Sequence, residues 1–144
     1  PEGVLNVVNG DKEAVDALIE DPRVKAISFV GSSDIAQYIY ANGAAHNKRV
    51  QAFGGAKNHL IILPDADMEN VVNQLIGSGY GSAGERCMAT PVAVPVGEKT
   101  AETLVSMLKP RVESLRIGPS MSEDSDLGPL VTAAHKKRVE GYIQ

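Results

Sequence analysis

The chain is predicted to be α/β, with parallel sheets joined by helical crossovers. Three observations predict this class. Short β-rich runs alternate with runs of helical period along the whole length. Turn pairs or breakers mark the boundaries: Asn9-Gly10, Asp21-Pro22, Asn42-Gly43, Gly54-Gly55 and Pro64-Asp65. A strand followed by a helix and another strand returns to the same end of a sheet, so its neighbours run parallel.

The elements follow in order. Val4 to Val8 reads as a strand ended by Asn9-Gly10. Asp11 caps a helix whose apolar positions are Val15, Leu18 and Ile19, and Asp21-Pro22 stops it. Ala26 to Val30 is a buried strand. Gly31-Ser32-Ser33-Asp34 opens a helix carrying Ile35, Ile39 and Tyr40, ended by Asn42-Gly43. Val50 to Phe53 is a third strand, closed by Gly54-Gly55. The pattern then restarts: a strand over His59 to Leu63, and a helix from Met68 towards Tyr80, diluted by glycines near its end. Pro91 to Val96 is a strand, and Thr100 to Leu115 a long helix that Pro110 must kink or divide. Ile117 to Pro129 is a loop, and Thr132 caps a last helix. The glycine pair marks a junction between two units, residues 1–55 and 56–144.

Composition narrows the function. Hydrophobic residues make up 43% and charged residues 22%, as in a globular chain. A net charge of −4 and the lack of a basic stripe argue against a nucleic-acid partner. No apolar run reaches membrane-spanning length. One cysteine excludes an internal disulfide, which fits a reducing compartment, cytoplasmic or matrix rather than secreted.

That cysteine, Cys87, lies in Gly79-Tyr80-Gly81-Ser82-Ala83-Gly84-Glu85-Arg86-Cys87-Met88-Ala89. Small residues leave room for a second molecule, and the neighbouring guanidinium of Arg86 favours thiolate, the reactive form. The pattern suits a nucleophile, and it equally suits a small buried apolar residue. Ile27-Ser28-Phe29-Val30-Gly31-Ser32-Ser33-Asp34 has the form of a phosphate-binding turn. Gly31 permits close backbone approach, Ser32 adds a hydroxyl, and the helix start offers free N–H groups. Without a full Gly-x-Gly-x-x-Gly fingerprint, an ordinary capped turn fits as well. His46, His59 and His135 lack metal-ligand spacing and read as structural or solvated, so no metal site is expected. Asp65 and Asp67 read as helix caps, Lys136-Lys137-Arg138 as a solvated face, and Lys57 as structural.

Three segments together resemble the aldehyde dehydrogenase superfamily: Phe29-Val30-Gly31-Ser32, Gly54-Gly55-Ala56-Lys57-Asn58 and Gly84-Glu85-Arg86-Cys87-Met88-Ala89. Pro64-Asp65-Ala66 and Asp126-Leu127-Gly128-Pro129-Leu130 bring the likeness to its coenzyme-A-acylating branch, the methylmalonate-semialdehyde dehydrogenases. The resemblance covers essentially the whole chain and implies a fragment. Residues 1–55 would be the C-terminal part of a Rossmann-like NAD-binding domain, and 56–144 the N-terminal part of the catalytic domain. It further implies that Cys87 is the nucleophile, that Gly31, Ser32 and Gly54 lie along the NAD, and that Arg86 binds a substrate carboxylate. A full-length homo-oligomer, dimer or tetramer, is implied too. Ala36 departs from a frequent second glycine, and Glu85 from a frequent glutamine.

One absence is informative. Hydrolytic members carry a glutamate at the junction that activates water. The ungapped match here is Phe53, and alignment on the glycine pair gives Ala52. A general base contributes about a hundred- to ten-thousand-fold to such a step. Without it, a thiol such as that of coenzyme A is the better acyl acceptor. The resemblance implies NAD-dependent oxidation of methylmalonate or malonate semialdehyde, with decarboxylation, to propionyl- or acetyl-coenzyme A. The alternatives are a hydrolytic aldehyde dehydrogenase, with a base elsewhere, and a non-catalytic nucleotide-binding relative.

Overall fold

A computed structural model describes residues 1–143. The chain divides into two compact units, Pro1–Ala56 and Lys57–Gln144. Each contains a two-stranded parallel sheet, so the predicted class is the one observed.

In the first unit, α1 (Lys12–Glu20) starts at Asp11, whose carboxylate accepts from the Glu13 N–H. Asp21 ends it, and its carboxylate is gripped by the Arg23 guanidinium and backbone N–H, which hold it well below the usual carboxylate range. β1 (Ala26–Val30) and β2 (Arg49–Phe53) pair in parallel, Ala26 opposite Arg49 and Val30 opposite Phe53. α2 (Ser33–Ala45) is the crossover and buries Ala36, Ile39 and Gly43. Lys48 is buried at the entry to β2, and its ammonium donates to the carbonyls of Asp21 and Val24, 2.7 Å each. A buried charge is tolerated only when its donors are satisfied in this way.

Two expectations are corrected here. Val4 to Val8 forms no strand: it pairs with nothing among the described residues, and Val4, Leu5, Val7 and Val8 are all exposed. β-propensity without a partner ladder does not make a strand. Asn42-Gly43 does not end α2, which continues to Ala45. Gly43 faces the sheet, where a Cβ would lie 2.6 Å from Val50 Cγ2 and 3.2 Å from Ile27 Cδ1. The glycine serves close helix–sheet packing, and the left-handed residue after the helix is Asn47, φ 57°.

In the second unit, β3 (His59–Ile62) and β4 (Val92–Pro95) pair in parallel. Between them run α3 (Met68–Leu75), a wide π turn (Ile76–Tyr80) and a tight turn (Gly81–Gly84). Asp67 caps α3 by accepting from the Asn70 N–H. α4 (Glu98–Glu113) packs on α3, and Ile62, Val72, Leu75 and Leu104 form the core between sheet and helices. Pro110 does not divide α4. It stands in the last turn, where it forfeits one N–H bond and leaves little helix beyond it to bend. The loop after α4 is pinned by a single bridge, Ile117 to Leu127, and α5 (Ala133–Ile143) begins where the Thr132 hydroxyl accepts from the His135 N–H. Among the described residues, no helix is long and apolar enough to cross a membrane.

The Gly43 contact yields a stability test. In Gly43→Ala, a helix-propensity gain of about 1 kcal/mol opposes the overpacking. Valine adds bulk and lowers propensity, so Gly43→Val should cost about 1–3 kcal/mol. The fall in denaturant midpoint measures it, and a second change, Val50→Ala, should recover part of the loss.

Candidate functional site

The first unit gathers Gly31, Ser32 and Gly54 at one place, the carboxyl ends of β1 and β2 against the start of α2. The Gly31 N–H donates to the Phe53 carbonyl (3.1 Å), which ties the two strand ends together. Ser32 is the N-cap of α2 in an extended conformation, and its hydroxyl makes no capping bond. The Ser33 hydroxyl instead accepts from the Gly55 N–H at 3.1 Å. A Cβ on Gly54 would lie 2.7 Å from Ser33 Oγ and 3.0 Å from Ser33 Cα, so only glycine lets β2 end this close to the helix. Strand ends beside a helix N-terminus are where open α/β sheets bind ligands.

In the second unit, Cys87 is exposed, in a turn closed by the Ala89 N–H donating to the Arg86 carbonyl at 3.0 Å. The backbone ahead of it is unusual. Ser82, Ala83 and Gly84 have φ of 54°, 54° and 75°, three consecutive left-handed residues. That conformation costs a non-glycine residue roughly 1–2 kcal/mol. Gly84 is therefore a backbone requirement as well as a source of space. At Gly84 a Cβ would also meet the Gly79 carbonyl oxygen at 3.2 Å.

The turn is clamped by a residue to which the sequence reading gave no role. Asn58, half-buried just before β3, donates its side-chain amide to the Cys87 carbonyl (3.0 Å) and the Ala89 carbonyl (2.8 Å). The available signal was chemical: an amide at a strand mouth must find partners, and carbonyls of a tight turn are orphan acceptors.

Arg86 lies over Gly81, where a Cβ would stand 3.1 Å from its Nη1. It lines a cavity of about 430 Å³ with Tyr80, Arg111, Ser114, Asp126 and Leu127. Asp126 accepts from the Arg116 N–H at 2.9 Å and from its guanidinium, and these bonds hold its carboxyl below the ordinary 3.8. Glu85 also has a partner: its carboxylate meets His135 Nε2 of α5, and Arg138 approaches His135 Nδ1 at 2.6 Å. His135, read from sequence as structural or solvated, thus joins the last helix to the residue two before Cys87. Among the described residues, no group of three or more His, Cys, Asp or Glu is arranged to hold a metal.

The chain matches the family model described as "Aldehyde dehydrogenase family" over residues 1–144. It is 59% identical to the malonate-semialdehyde dehydrogenase of Pseudomonas aeruginosa over 143 residues, 99% of this chain and 29% of that protein. The methylmalonate-semialdehyde dehydrogenase of Oceanimonas doudoroffii superposes with a TM-score of 0.92 at 58% identity, over 99% of this chain and 29% of the other. A Sinorhizobium meliloti protein crystallised with NAD gives a TM-score of 0.92 at 59% identity, over the same shares. The chain spans about 30% of the length of the curated relatives it matches.

The Asn58 clamp is directly testable. Asn58→Leu keeps the volume and removes both donors, for a loss of about 2 kcal/mol at about 1 kcal/mol per bond. Amide exchange should quicken in residues 85–90 and stay unchanged in α4; uniform exchange across both would refute the clamp.

Proposed function

The chain belongs to the aldehyde dehydrogenase family, and on that footing we propose that the whole protein oxidises malonate or methylmalonate semialdehyde with NAD, through a thioester on Cys87, and delivers the decarboxylated acyl group to coenzyme A. Residues 1–55 contribute to the NAD-binding domain in this reading, and 56–144 to the catalytic domain. The observation that carries the acyl-transfer choice is the residue standing where hydrolytic members keep a glutamate: Phe53, or Ala52 in the other alignment, neither of them a carboxylate.

The first unit fits the cofactor. Gly31 and Gly54 trim the strand ends to bare backbone, the Ser32 hydroxyl is free of a capping bond, and α2 presents its first N–H groups there. Ser32 and these N–H groups would hold the pyrophosphate. NAD, when bound, supplies the hydride acceptor.

In the second unit, the Cys87 sulfur adds to the aldehyde carbon, forming a C–S bond and an oxyanion. Backbone N–H groups of the turn would donate to that oxygen. Loss of hydride leaves a thioester on Cys87. A carboxylate on the adjacent carbon then leaves as carbon dioxide, because the thioester accepts the C–C electron pair as an enolate, which takes up a proton. The coenzyme A thiol attacks the remaining thioester and displaces the Cys87 thiolate. Arg86 is assigned to the substrate carboxylate, since guanidinium matches it through paired hydrogen bonds.

Turnover of malonate semialdehyde with NAD, with and without coenzyme A, tests the reading in the full-length enzyme. Acetyl-coenzyme A should form when it is present, and without it turnover should slow by about a hundredfold or more, leaving only slow release of free acid. Equal acid release in both would assign the protein to the hydrolytic members. Cys87→Ser should abolish the hydride burst. Arg86→Ala should raise KM for the carboxylated aldehyde by about ten- to a hundredfold. An equal rise for an uncharged aldehyde of the same length would remove Arg86 from recognition.

A further inference from the structure

Arg138, His135 and Glu85 form one chain of contacts from the last helix to the loop that presents Cys87 and Arg86. A guanidinium has donors and no acceptor. Its contact with Nδ1, at 2.6 Å, therefore requires the Nδ1 lone pair. The ring proton must then sit on Nε2, aimed at the Glu85 carboxylate. Arg138 thus selects the tautomer, and the neutral imidazole passes its orientation to Glu85. Both residues sit on one face of α5, three positions apart, about one helical turn. The His135 side chain is mostly covered, at 23% exposure, so solvent does not supply an equal substitute.

Glu85 is anchored a second time, by its N–H donating to the Ser82 carbonyl at 3.0 Å. It therefore sits where the left-handed run ends and the Cys87 turn begins. A side chain fixed at that point sets the direction in which Arg86 and Cys87 leave it.

We propose that His135 is a positioning residue for the nucleophile: held in its Nε2–H tautomer by Arg138, it binds Glu85 and so orients the Arg86-Cys87 turn. This rests on the reading of Cys87 as nucleophile.

The test uses the full-length enzyme and two readouts, the rate of Cys87 alkylation by iodoacetamide and the kcat for malonate semialdehyde. His135→Leu fills the space without hydrogen bonding and should lower both by about tenfold or more, since a 1 Å misplacement costs on the order of a hundredfold. His135→Gln keeps an amide donor in the place of Nε2 and should recover most of the loss. Arg138→Met, which leaves the imidazole and Glu85 in place, should fall between the two. KM for NAD should not move. If His135→Leu matches wild type in both readouts, or His135→Gln fails to improve on a folded His135→Leu, the proposal is overturned. Should His135→Leu not fold, Arg138→Met decides: wild-type rates refute the proposal, and an intermediate loss supports it. A Cys87→Ser enzyme that still shows a hydride burst would instead refute the nucleophile reading, so the two failures are distinguishable.

Discussion

Everything in the second unit depends on holding a short stretch of backbone in a conformation it would not choose. Ser82 and Ala83 stand in the left-handed region, and together they cost roughly 2–4 kcal/mol. The restraints that oppose this cost are few and identifiable. Asn58 supplies two hydrogen bonds, the Glu85, Ala89 and Thr90 N–H groups supply one each, and the Glu85–His135 contact adds another. At about 1 kcal/mol net per bond, the six together exceed the strain by only a few kcal/mol. A loop so balanced keeps one shape only while its anchors hold, and those anchors come from both ends of the unit, the approach to β3 and the last helix. Strain of this kind gathers where a side chain must be presented at a fixed angle.

The first unit meets a related demand with packing instead of hydrogen bonds. Gly54 lets the end of β2 touch Ser33, and Gly43 lets α2 lie down on Val50 and Ile27. The unit thereby brings a helix start and two strand ends together, with the Phe29 ring over Gly31 and the Ser33 hydroxyl against Gly54. The two units reach the same result, a stretch of bare backbone with donors at its surface, by opposite routes. One removes side chains from a close contact, and the other clamps a strained turn.

Local chemistry was legible in the residues. Asp11, Asp67 and Thr132 cap the helices they were expected to start, and β1 has its predicted bounds. These features depend on a few adjacent residues. What depended on distant partners was not legible. Val4 to Val8 has strand composition, but pairing is a property of two segments. Gly43 resembled a helix stop because glycine ends helices and also permits close packing, and only Val50 and Ile27 across the sheet distinguish the two. Within the candidate site, Gly31, Ser32 and Gly54 lie together at the ends of β1 and β2, a proximity set by the pairing of two distant strands. The clamp by Asn58 and the contact of Glu85 with His135 span 29 to 31 and 50 residues respectively, and no local pattern announces them.

The burial of Lys48 has a consequence for the way the first unit holds together. Lys48 is the only buried lysine among the described residues, and two main-chain oxygens accept from its Nζ. Those oxygens belong to Asp21, which ends α1, and to Val24, which leads into β1. One side chain thus latches the end of the first helix to the entrance of the sheet, and its removal would leave both carbonyls short of a donor.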